Sequence, residues 1–135
     1  MGFGVSYTKN EPKESDLVGV YKPDLKTQML ISKENGFSTT NNEIKLDADG
    51  KIELINLMHW LEDGDTNMAG GRLVSTNGSW HLEKLDKGWG IVSEYKLSDG
   101  SMTIYLQLVG GKPPYEIQIY NWQTGVPFYF VQGTN

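Results

Sequence analysis

The chain has 135 residues, with 17 acidic side chains against 12 basic ones and a net charge of −5. That length suits one domain with its own core, and the charge argues against nucleic acid, whose phosphates need a basic stripe. There is no cysteine, which removes disulfides, thiolate nucleophiles and cysteine-ligated metals; no apolar run is long enough to cross a bilayer as a helix.

Residues 1–15, MGFGVSYTKNEPKES, show no hydrophobic period and read as a flexible tether before a single domain over 16–135. Gly2 and Ser6 fit the myristoylation pattern, but no basic stretch follows to supply a second anchoring signal. A rival reading has Met1 replacing a removed export segment, one ending in a lipid-modified cysteine, which would make the protein an exported or cell-envelope lipoprotein. A ragged terminus accounts for the same residues.

A first strand follows at about 17–22. In PDLKTQMLISKENG, 23–36, the alternation breaks. Asp24 is a helix cap, Leu25 and Met29 lie four apart on one face, and Asn35-Gly36 is a stop signal. These predict a short helix from about Leu25 to Lys33.

Hairpins come next, and side-chain parity constrains their loops, because opposed residues share a face. In EIKLDADGKIEL, a two-residue Asp49-Gly50 loop would set Leu46 against Glu53. A three-residue loop, Ala48 to Gly50, sets Leu46 against Ile52 and Ile44 against Leu54. Gly50 is then the left-handed residue of a bulged turn. In NGSWHLEKLDKGWGIV, a four-residue loop, Leu85 to Gly88, pairs Leu82 with Ile91, Lys84 with Trp89 and Trp80 with Ser93. In IVSEYKLSDGSMTIYLQL, an Asp99-Gly100 loop pairs Leu97 with Met102, Tyr95 with Ile104 and Ile91 with Leu108, through a type I′ turn. The last hairpin, on a Thr124-Gly125 loop, pairs Ile119 with Phe130 and Asn121 with Phe128 on one face. Tyr120 meets Tyr129, and Trp122 meets Pro127, on the other.

The sum is eight strands, near 17–22, 43–47, 51–57, 78–84, 89–97, 102–109, 115–122 and 127–132. Short turns join most of them. The expected fold is all-β, an antiparallel up-and-down meander closing into a barrel, with a short helix between strands 1 and 2. A sandwich is the alternative.

The longest stretch without alternation, 58–78, contains Asp63, Asp65 and Asn67 at the first, third and fifth positions of a calcium loop. Met68 stands where such a loop has glycine, and Val74 where it has glutamate. A solvated polar loop fits as well. His59 and His81 each adjoin a tryptophan without a metal-ligand spacing. Nucleophile-elbow, phosphate-loop and dinucleotide motifs are absent, so no cofactor and no catalytic residue is assigned.

The aromatic residues divide by position. Trp80, Trp89 and Tyr95 fall on faces expected in the core. Trp60 lies in the long loop. Residues 117–135 carry no charged side chain, and Tyr120, Trp122 and Tyr129 fall on the face away from Phe128 and Phe130. Trp60, Tyr120, Trp122, Phe128, Tyr129 and Phe130 are therefore the candidate contact residues for a ligand or partner. An acidic stretch over 43–65 could add attraction for a basic partner, or be a solvated strand face with turn acids.

The layout resembles the lipocalin-like, or calycin, barrels. Gly19-Val20-Tyr21 sits where that superfamily has Gly-x-Trp on its first strand, and NGSWHL at 77–82 is similar in local form. The helix between strands 1 and 2 looks more like the fatty-acid-binding branch. The resemblance covers residues 16–132 and implies a calyx for an apolar molecule, in proteins that mostly bind. No functional residue carries over.

Two functions follow as expectations. One is a non-enzymatic binding protein that holds a small apolar ligand or turns its aromatic face to a partner. The other is an inhibitor or immunity-type module that covers a protein and holds no small ligand. Docking of two copies through the last hairpin would give a homodimer. An enzyme of an unseen class is the remote third.

Overall fold

The computed structural model describes residues 6–35, 42–58, 73–97, 100–119 and 127–133. Two helices and eight strands follow in chain order: α1 (Glu14–Leu17), β1 (Gly19–Pro23), α2 (Leu25–Asn35), β2 (Glu43–Leu46), β3 (Lys51–Met58), β4 (Leu73–Leu85), β5 (Gly88–Leu97), β6 (Gly100–Val109), β7 (Glu116–Ile119) and β8 (Phe128–Gln132). Each strand pairs antiparallel with the next, and β8 returns to β1 through Tyr21 opposite Gln132 and Pro23 opposite Phe130. The result is a closed eight-stranded meander barrel, compatible with the lipocalin-like layout, with α2 between the first two strands.

Alternation along the strands fills the interior. Tyr21, Ile44, Ile52, Ile91, Leu108, Ile117 and Phe130 are wholly buried, and Leu54, Trp80, Tyr95, Leu106 and Phe128 join them in one cluster. The Trp80 indole N–H donates to the Asp47 carbonyl at 3.1 Å, so a large ring sits inside without an orphan donor. No helix among the described residues is long and apolar enough to cross a membrane.

Two hairpins have the expected register. Leu46 faces Ile52 and Ile44 faces Leu54, while Gly50 has φ 82°. Trp80 faces Ser93, Leu82 faces Ile91 and Lys84 faces Trp89, with Leu85 and Gly88 closing the ladder one pair further. Two others are corrected by two residues. Leu97 pairs with Gly100, Tyr95 with Met102 and Ile91 with Leu106, so Gly100 is a strand residue. Ile117 pairs with Phe130, Gln118 with Tyr129 and Ile119 with Phe128; Tyr129 therefore faces Gln118, not Tyr120. A slip of two keeps every side chain on its face, so apolar matching could not detect it.

β3 and β4 also shift register between Leu54 and Leu57. Asn56 there has φ 50°, a left-handed conformation that asparagine tolerates better than most residues, and the pattern is that of a bulge. The buried Asn42 amide donates to the Asn56 carbonyl across the same site.

α2 is capped as expected: Asp24 Oδ1 accepts from Thr27 N at 2.8 Å. Leu25 and Met29 share a face, but it is the solvent face, 72% and 65% exposed. Thr27 is the buried residue, and its Oγ1 accepts from Tyr129 N at 2.8 Å. Thus α2 is held to β8 by a hydroxyl as well as by Leu30, which packs against the core.

Over its described residues, 6–15, the expected tether is bound to the barrel. Tyr7 bridges Val109. Thr8 is buried; its N–H donates to Leu108 O at 3.2 Å, its O accepts from Trp89 N at 2.7 Å, and its Oγ1 donates to Gly110 O at 2.6 Å. Gly88 makes this approach feasible, since a Cβ there would lie 2.4 Å from Thr8 O. Backbone bonding replaces the hydrophobic period that an anchored segment usually shows, which is why the sequence pattern missed it.

Candidate functional site

Of the sequence candidates, Trp60, Tyr120 and Trp122 lie outside the described residues, as do Asp63, Asp65 and Asn67 of the calcium-like pattern. Phe128 and Phe130 are buried in the barrel. Tyr129 is half-buried on the outer wall. Trp80 and Tyr95 belong to the core cluster, but Trp89 is half-buried and outside it. His81 is exposed and meets Glu83 at 3.1 Å. Among the described residues no group of three or more His, Asp or Glu is placed to hold a metal ion.

One end of the barrel is plugged. Leu17 of α1 is fully buried. Tyr21 donates its hydroxyl to Leu17 O at 2.7 Å. Gln132 donates Nε2 to Asp16 O at 2.8 Å and Val18 O at 3.1 Å, and its Oε1 accepts from Tyr115 N at 2.9 Å. One buried amide of β8 therefore ties α1 to the residues that lead into β1 and β7. Burial first, and then the neighbouring Tyr115, pushes the Tyr21 phenol well above the usual tyrosine range. Burial and Asp16 raise Tyr115 in the same direction. Both shifts favour the neutral phenol, and that of Tyr21 serves as a structural hydrogen-bond donor.

Inside the barrel one polar atom stands apart. Ser93 is fully buried, and its Oγ has no hydrogen-bond partner among the described residues. It lies opposite Trp80 on one side and Ile104 on the other.

The outer wall carries a concave feature. An open groove of about 690 Å³ runs beside the β4–β5 turn, lined by Lys84, Asp86 and Lys87 and by Tyr105, Gln107 and Gln118 of β6 and β7. Its geometry follows from register. Gly90 faces Gln107, Gln107 faces Gln118, and Gln118 faces Tyr129, one row across four strands. Gly90 has no side chain to fill its place in that row, and Leu85 leans over it; a Cβ on Gly90 would lie 2.3 Å from Leu85 Cδ1. The row ends on the last hairpin, so Tyr129 is the sequence candidate that the structure joins to this groove.

The polar side chains of the row are fixed. Gln107 Nε2 donates to Trp89 O at 3.0 Å and Leu108 O at 3.3 Å. Gln118 Nε2 donates to the Tyr129 hydroxyl at 2.9 Å. Tyr105 is 65% exposed beside them. Lys87 Nζ sits 5.4 Å over the Tyr7 ring, and Lys9 Nζ donates to Lys87 O at 3.2 Å, so the docked N-terminal segment braces the turn. Sequence reasoning missed Tyr105, Gln107 and Gln118 because it looked for function in loops and at the chain end. The signal was present: in TIYLQL the alternation that sends Ile104, Leu106 and Leu108 inward sends Tyr105 and Gln107 outward.

Compared with family models, with characterised proteins and with solved structures, the chain gives no match.

Proposed function

We propose that the chain is a non-enzymatic binding protein in which a lipocalin-like barrel serves as a rigid scaffold and recognition takes place on the outer wall, between the β4–β5 turn and the last hairpin. The observation that carries this reading is the contrast between the two sides of the sheet. The interior is occupied by large side chains of all eight strands. The outer wall offers an open groove with an exposed tyrosine and anchored amides. Ligand sites combine an apolar surface with a few fixed polar groups in this way. Either a small molecule or the surface of an inhibited protein could occupy such a wall.

The unpartnered Ser93 Oγ favours a second reading, the calyx: a small apolar ligand held inside would bring a polar atom to that hydroxyl. Native mass spectrometry on unheated protein separates the two. The outer-wall reading expects a bare chain, as a monomer or as a dimer formed through the last hairpin. A retained apolar adduct of a few hundred daltons, lost when Ser93→Leu puts a bulkier side chain opposite Trp80, would replace it with the calyx.

A further inference from the structure

We propose that the groove on the outer wall is a saccharide site, with Tyr105 as the stacking platform. This rests on the outer-wall reading above and names the chemistry of its ligand.

The hydrogen-bonding inventory selects the ligand. Gln107 and Gln118 have each committed their amide nitrogen within the protein, and the Oε1 of each has no protein partner among the described residues. These are acceptors on rigid strands, and they call for donors. The Tyr129 hydroxyl accepts from Gln118 Nε2 and keeps its own proton to donate. Lys84 and Asp86 also line the groove, one a donor and the other an acceptor, while the Lys87 ammonium is seated over the Tyr7 ring. A ligand must therefore donate and accept over a short distance and also lay an apolar face on the Tyr105 ring. A pyranose does this: each hydroxyl is both donor and acceptor, and its C–H face suits the electron-rich face of an aromatic ring.

Other ligand classes fit less well. An aliphatic chain would cover Tyr105 and leave the glutamine oxygens desolvated and unpaired. A phosphodiester brings acceptors only and cannot satisfy them. An extended peptide would normally add to a free strand edge, but β6 and β7 are each paired on both sides in a closed barrel. Nucleic acid meets a chain of net charge −5. The groove volume of about 690 Å³ falls in the range of about 300–1,000 Å³ usual for small-molecule sites, and its open side permits a longer glycan to extend beyond it.

The test is affinity electrophoresis of the full chain in native gels that contain dextran, xylan, glycogen, hydroxyethylcellulose or polygalacturonate. The wild type should be retarded by at least one polysaccharide. Tyr105→Ala should weaken that retardation at least tenfold, and Tyr105→Trp should restore it. Because Tyr105 is exposed, all three proteins should share one unfolding midpoint, which rules out misfolding as the cause. Equal mobility of wild type and Tyr105→Ala in every gel overturns the saccharide assignment. If a protein partner then binds the wild type but not Tyr105→Ala, the outer-wall reading survives without the sugar. If mass spectrometry instead finds an interior apolar adduct that Tyr105→Ala retains, both readings fall.

Discussion

Two Asp-Gly dipeptides lie in this chain at the ends of strand pairs, and they do different work. In Asp49-Gly50 the glycine is left-handed at φ 82°, its N–H donates to Asp47 O at 3.2 Å, and it closes a three-residue loop. In Asp99-Gly100 the glycine is a strand residue opposite Leu97. Local sequence favours a turn at both. What differs is the length of ladder attached. β2 and β3 meet over the pairs from Glu43–Ile55 to Leu46–Ile52, so turn geometry has a large say there. β5 and β6 pair over Gly90–Gln107 to Leu97–Gly100, and β6 is pinned on its other edge by β7 and by Tyr7. Those pairings on the far edge of β6, and not the local turn preference, hold its register.

The largest effect should come from what both registers share, the parity of the faces. Phe130 faces Ile117 and is wholly buried, and a slip to Ile119 would keep it on the inner face. Phe130→Ala should cost about 3–5 kcal/mol in urea unfolding, whereas Tyr129→Ala, one residue away on the outer wall, should cost far less. Equal losses would mean that the β8 faces do not divide core from surface.

A smaller effect should separate the two glycines. Gly50→Val forces a β-branched residue into a left-handed conformation and should destabilise by about 1–2 kcal/mol. Gly100→Val places a good strand former in a strand and should be neutral, or stabilising by up to about 1 kcal/mol. If Gly100→Val were the costlier change, the Asp99-Gly100 turn would be the correct one and the register of β5 on β6 would move by two.

These tests show what was legible in the sequence and what was not. Parity was legible, because Leu46 opposite Glu53 is a conflict that any reader of alternation can see, and it fixed the β2–β3 loop at three residues. Register within one parity was not, because Tyr95 opposite Met102 and Tyr95 opposite Ile104 are equally apolar. At the last hairpin β8 is also held from outside the hairpin: Asp24 N donates to Tyr129 O at 3.0 Å and Thr27 Oγ1 accepts from Tyr129 N. Those partners lie a hundred residues away in the chain and leave no local signature. The candidate site was half legible for the same reason. Outward Tyr105 and Gln107 can be read from alternation, but their meeting with Gln118 and Tyr129 needs the register.

Glu116 gives the smallest effect and the most direct check on that register. It faces Val131, where the Thr124-Gly125 turn would have set it against Gly133. In this place burial first, and then the charge of Asp24, raise its carboxyl above the ordinary value of 4.5. The folded state therefore holds this proton more tightly than the unfolded chain does. Below the ordinary value both states are protonated and the contribution to stability is fully present. As pH rises through the window above 4.5, the unfolded chain releases the proton first, and that contribution is lost. Glu116→Gln keeps the shape and removes the titration. Wild type and variant should be closest in stability near pH 4, and the variant should gain on the wild type as pH rises to 7, by a small amount because the group is only half-buried. A difference that does not change with pH would take Glu116 out of the reach of burial and Asp24, and with it the two-residue shift that puts it there.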